Sequence, residues 1–123
     1  MAIDEVGGVD LIPLVKELKN KMYLYVDDIR DAPDDTWMVA RKVEEAIRLI
    51  DANEFEKISL DHDIENRPSD ETFKPVAYFI AEKYRSKVIT PLVIIHTMNP
   101  VAAQQIKAIL DTAHLKPIIK PGI

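Results

Sequence analysis

Three short segments concentrate residue types that handle phosphate, protons and hard cations: Asp27-Asp28 followed by Arg30, Asp61-His62-Asp63, and His96-Thr97 followed by Asn99 and Pro100. Carboxylates held together repel one another, and a bound cation is the simplest relief. Oxygen ligands select hard ions, so Mg²⁺ or Mn²⁺ on Asp27 or Asp28 together with Asp61 is the expected cofactor. An imidazole flanked by carboxylates is suited to proton transfer, because neighbouring negative charge favours its protonated form; His62 stands between two. Plainer readings stand beside these. An Asp-Asp pair after an apolar run is also an ordinary solvated turn or helix cap. His96 reads equally as a satisfied, half-buried imidazole, and Thr97 and Asn99 as caps of a helix opened by Pro100.

Each cluster closes a β-favouring run: Met22 to Val26 (MYLYV), Lys57 to Leu60 (KISL) and Leu92 to Ile95. Runs that are apolar on both faces are typical of parallel strands, and ligands of open α/β sheets bind outside the carboxyl ends of such strands. The three clusters are therefore expected to converge on one rim. Strand alternation places Asp61 and Asp63 on one face and His62 on the other unless the chain has already turned, so strand geometry alone does not bring all three to one ion.

The segments between the strands must supply the helices. Val76 to Tyr84 is amphipathic at helical spacing, and Val101, Ile106, Ile109 and Leu110 give the segment after Pro100 an apolar stripe. Ile118 and Ile119 suit a last short strand. Residues 36 to 55 admit two readings, one long helix or a short strand at Trp37 to Ala40 followed by a helix from about Lys42 to Ala52. The link from Arg30 to Thr36 is too short for a helical crossover, which leaves a strand at Trp37 either antiparallel or absent. Ahead of the first strand, Leu11, Leu14, Val15 and Leu18 recur at helical spacing over residues 9 to 20, with Asp10 as N-cap.

The whole chain, 123 residues with 47% apolar and 30% charged side chains, fits one self-sufficient core. A net charge of -5 argues against an extended nucleic-acid groove, and the lack of cysteine excludes thiolate metal sites and cysteine nucleophiles. No apolar stretch approaches the roughly 20 residues that span a bilayer, and the acidic start is unlike a secretory signal. The expected setting is the cytoplasm.

The ordered blocks YVDDIRDAP, Trp37 with Arg41 and EEAI, ISLDHDI and IIHTMNP resemble the cyclic-phosphate processing receiver family over about residues 22 to 112. The resemblance implies a receiver-like (flavodoxin-like), three-layer, doubly wound α/β fold with a mostly parallel sheet of four to five strands. The expected organisation is one domain over residues 1–123, with 1–21 as an added N-terminal helical extension. By position, Asp27 and Asp28 resemble the acidic metal pair of receivers, Asp61 their phosphoacceptor and Thr97 their switch hydroxyl. His62, Asp63, His96 and Asn99 match residues particular to this family, and Arg30 and Arg41 match its arginines, whose forked donors suit phosphate. Two departures stand out, Glu65 for the usual glycine after SLDHDI and Lys42 where a capping Thr is common.

The function expected from this set is metal-assisted processing of a phosphate ester, such as a cyclic phosphate end of RNA or of a nucleotide, in a bacterial or phage setting. Its catalytic residues would be Asp61, His62, Asp63, His96, Thr97 and Asn99, with Arg30 and Arg41 on the phosphate. The alternative is a receiver-like phosphoacceptor or nucleotide-sensing module without catalysis.

Overall fold

The computed structural model describes residues 22–64 and 71–122. The helix expected over 9 to 20 and the departure at Glu65 lie outside them. The described elements are β1 (Tyr23–Val26), β2 (Trp37–Ala40), α1 (Val43–Ala52), β3 (Lys57–Leu60), α2 (Lys74–Tyr84), β4 (Leu92–Ile95), α3 (Pro100–Asp111) and β5 (Ile118–Ile119). The strands form one sheet in the order β2-β1-β3-β4-β5, every pair parallel. Between the two readings of residues 36 to 55, the strand followed by a helix is the one adopted.

β2 is neither absent nor antiparallel, contrary to the argument from the length of its link. Tyr23 pairs with Trp37 and Val26 with Ala40 in parallel register. The dozen-residue minimum applies to a crossover that contains a helix. Residues 27 to 36 contain none, and an extended chain needs only about 3.3 Å per residue to run back along a four-residue strand. Arg41 fastens this loop: its Nη1 donates to the carbonyls of Asp27 (3.1 Å) and Arg30 (2.7 Å), and its Nη2 to Asp31 (3.3 Å).

The remaining connections all step the same way across the sheet. Right-handed crossovers then place all three helices on one face, and α2 packs against both α1 and α3. Leu24, Val26, Ile58, Leu60, Val93 and Ile95 meet Ala46, Ile50, Val76, Ile80, Ile106 and Leu110 in this layer, all of them buried. Lys83 closes its lower edge by donating its ammonium to the carbonyls of Ile50 and Asn53, which the end of α1 would otherwise leave unpaired, and by pairing with Glu54.

α1 begins without a side-chain cap, since Lys42 offers no acceptor; Glu45 instead accepts from the amide of Arg41 at 2.8 Å. α3 ends in a Schellman turn. The amides of His114 and Leu115 donate to the carbonyls of Asp111 and Leu110, with His114 at φ 62° where glycine is usual. Relief of that left-handed backbone should let His114→Gly stabilise the protein by about 0.5–1 kcal/mol. Urea unfolding measures it; a loss of stability of the same size would show that the imidazole makes compensating contacts.

Candidate functional site

Parallel register carries the strands out at one edge, and the residues one step beyond them stand in sheet order as Arg41, Asp27, Asp61, His96 and Lys120. The amides of Asp27, Asp61, His96 and Lys120 each donate to the last carbonyl of the neighbouring strand, at 3.1, 3.0, 3.0 and 2.9 Å, so the ladder runs one residue further than the strands. The expected convergence is therefore present. One ligand atom each of Asp27, Asp61 and His96 lies within 4.8 Å of the others.

His96, fully buried, spans the strand between its own and β1. Its Nε2 lies 2.9 Å from Oδ2 of Asp27 and its Nδ1 2.7 Å from Oγ of Ser59 on β3. Nε2–H donating to the carboxylate and Nδ1 accepting from the hydroxyl satisfies every polar atom of the ring. Tyr25 stacks on the imidazole, centroids 4.5 Å apart and planes within 6°. The Ser-His-Asp sequence of contacts is not a hydrolytic triad, because Ser59 is inside the sheet at 1% exposure, where no substrate reaches its hydroxyl. What it does is hold Asp27.

The two carboxylates differ sharply. Burial pushes Asp27 towards the neutral form, but His96 and the amides of Arg30 (2.8 Å) and Ile29 (3.0 Å) outweigh it and hold the acid at about 2. Those two amide bonds also make the turn that ends β1. Asp61 has one opposing hydrogen bond, from the backbone of His62. Burial, with the negative charges of Asp27 and Asp63, raises it to about 6. Burial and the nearby carboxylate charges likewise push the Tyr25 phenol up to about 12, so it stays neutral beside them.

A hard divalent cation fits the donor set of Asp27 and Asp61: two carboxylate oxygens within one coordination shell, one of them kept ionised. Asp28, half-buried on the adjoining loop, is not in the group of three. Arg30 is exposed on the same loop, and Arg41 holds the loop from beneath. His62 and Asp63 pair with each other, Nδ1 to Oδ1 at 2.6 Å, and His62 Nε2 is buried without a partner among the described residues. Thr97 is buried and accepts from the amide of Asn99 (3.3 Å), while Asn99 caps α3 by accepting from the amides of Val101 and Ala102.

Sequence reasoning missed Ser59 and Tyr25, the two groups that fix His96. Both lie two residues before an acid of the rim, Ser59 before Asp61 and Tyr25 before Asp27, so strand periodicity alone puts them on the face of those acids.

A five-stranded parallel sheet in this order, with acids following its first and third strands, is a receiver fold. The receiver domain of the Francisella response regulator 1452 matches it with a TM-score of 0.50 at 18% identity, covering 82% of this chain and 84% of that one. The sequence model of the cyclic-phosphate processing receiver domain matches residues 22–112, and the chain belongs to that family. No curated protein matches it. Among the described residues no helix is long and apolar enough to cross a membrane.

Two measurements probe the site without any ligand. Because Asp61 binds its proton more tightly in the folded state, stability falls as pH rises from about 4 to about 6 and the full penalty persists above. Asp61→Asn should therefore stabilise the protein by about 1–2 kcal/mol at pH 8 and change little at pH 4; an equal effect at both values would exclude a raised acid. Ser59→Ala leaves His96 Nδ1 unpaired in a dry place and should cost about 1–3 kcal/mol, read by denaturant titration against the wild type.

Proposed function

We propose that this chain processes a phosphate ester, of the class of cyclic phosphate ends of RNA or nucleotides, at the rim formed by Asp27, Asp61 and His96. The observation that carries the reading is the pairing of a fixed anion, Asp27, with a half-buried acid poised near neutrality, Asp61, within 4.8 Å. Two carboxylates whose environments drive their acidities apart have divided roles, one electrostatic and one proton-transferring.

In this reading Asp27 stays ionised throughout, locked by His96, and Asp61 moves the proton. In hydrolysis of a cyclic phosphodiester, water adds to phosphorus, one phosphorus–oxygen ester bond breaks, and the released ribose oxygen takes up a proton. Asp61 can accept the proton of the water and return it to that oxygen, efficiently because its acidity lies close to neutral pH. Arg30 and Lys120, both exposed, would neutralise the non-bridging oxygens. Mg²⁺ or Mn²⁺ held by Asp27 and Asp61, with Asp28 adjoining, would supply Lewis-acid polarisation of the phosphoryl group.

The experiment is hydrolysis of 2′,3′-cyclic nucleotides with and without Mg²⁺ or Mn²⁺. Metal-dependent opening of the ring is expected, with a loss of at least about 100-fold in Asp61→Asn, the usual scale for removing a general acid–base. A folded preparation inert towards cyclic and terminal phosphates would refute it. If the same preparation gains an acyl-phosphate mass from a small phosphodonor with Mg²⁺, the phosphoacceptor reading replaces it.

A further inference from the structure

Two arginines frame the link between β1 and β2, Arg30 within it and Arg41 one residue beyond β2, and the fold holds them differently. Arg41 turns its fork inwards. Its Nη1 carries two hydrogens and donates to two carbonyls, those of Asp27 (3.1 Å) and Arg30 (2.7 Å), while Nη2 reaches Asp31 at 3.3 Å. The paired edge that would grip a phosphate is thus taken up by the chain's own loop.

Arg30 is held rather than occupied. Its amide donates to Oδ1 of Asp27 at 2.8 Å and its carbonyl accepts from Arg41, so both sides of its backbone are tied to charged groups. Its side chain is hydrogen-bonded to the phenol of Tyr25. That ring has no exposed surface and lies flat on His96, centroids 4.5 Å apart, which makes it a rigid anchor. The charges of Arg30, Asp27 and Asp61 all act on the same phenol, so the guanidinium stands near the acid pair. Arg30 itself stays exposed, and its five donors exceed what a single phenol oxygen can accept.

We propose, on the basis of the phosphate-ester reading of this rim, that Arg30 is the one of the two that touches a bound phosphate, and that Arg41 and Tyr25 are positioning residues acting through it. A flexible arginine gives up rotamer freedom when it seizes an anion. One fixed beforehand at amide, carbonyl and side chain loses less, so its charge-assisted hydrogen bonds form at smaller entropic cost. Tyr25 has a double part. The ring that braces the imidazole of His96 also braces the guanidinium of Arg30, and the fixed anion and fixed cation of the rim share one support.

The test follows the side-chain Nε–Hε signals of the arginines by NMR in the full chain. Without ligand, Arg30 should show a heteronuclear NOE near that of the strand backbone, and Arg48, exposed on α1, a low one. Inorganic phosphate should then shift the Arg30 signal and leave that of Arg41 in place. Tyr25→Phe keeps the ring on His96, and Arg41→Lys keeps the charge without the fork. Each should lower the Arg30 NOE and weaken phosphate about 5-fold, the scale of one net hydrogen bond. Backbone amide signals of β3 and β4 report whether each variant is folded; should one fail to fold, the other carries the comparison. A shift of the Arg41 signal in place of Arg30, or phosphate affinity unchanged in the folded variants, would overturn the proposal. So would an Arg30 side chain as mobile as Arg48 in a protein that binds phosphate, a result that leaves the phosphate-ester reading standing. An ordered Arg30 with no signal responding to phosphate would instead refute that reading, and the proposal with it.

Discussion

An ionised carboxylate with almost no exposed surface persists only where donors replace the water it has lost. Asp27 has three: the imidazole of His96 and the amides of Ile29 and Arg30. Much of the carboxyl rim follows from supplying them. The amides require the chain to turn sharply after β1. The imidazole must come from β4 across β3, which fixes how far those strands run before they end, and its far nitrogen needs Ser59 below it. Tyr25 then supports the ring from its flat side.

The same arrangement explains why Asp61 behaves differently one strand away. His96 spends its donor on Asp27, so Asp61 faces a fixed negative charge with a single hydrogen bond, from the backbone of His62, to relieve it. A rim that held both acids equally well would be a static anion pair. Uneven support gives one group that stays charged and one that responds to whatever cation or proton arrives. The family to which the chain belongs is named for cyclic-phosphate processing, and a responsive acid beside a fixed one is a sensible way to meet a phosphoryl group.

Much of this was legible in the sequence. Apolar runs ending in acid located β1, β3 and the rim. Ser59 and Tyr25 were not legible, because a hydroxyl inside a β-favouring run reads as strand filler until its partner on another strand is known. Arg41 illustrates the same limit. Its forked donors suited phosphate by type, but two loop carbonyls and Asp31 lie within reach of them, a fact of loop geometry with no periodic signal. Asn99 carried two meanings, and its side chain is used as a cap. The direction of β2 failed for a different reason: a rule about helical crossovers was applied to a link that has no helix.

That helix-free link also bears on how the chain assembles. Tyr23 meets Trp37 through a short stretch of chain but meets Lys57 only after α1 has been traversed. Loop-closure entropy rises with the logarithm of the enclosed length, so the β1–β2 pair is the parallel pairing with the smallest entropic cost in the sheet. Parallel sheets are ordinarily slow to form because every pairing waits on a long crossover. Here one pairing does not wait, and it brings Tyr23, Tyr25 and Trp37 into ring contact. The segment that binds Asp27 thus lies beside the part of the sheet best able to organise before the helices are in place.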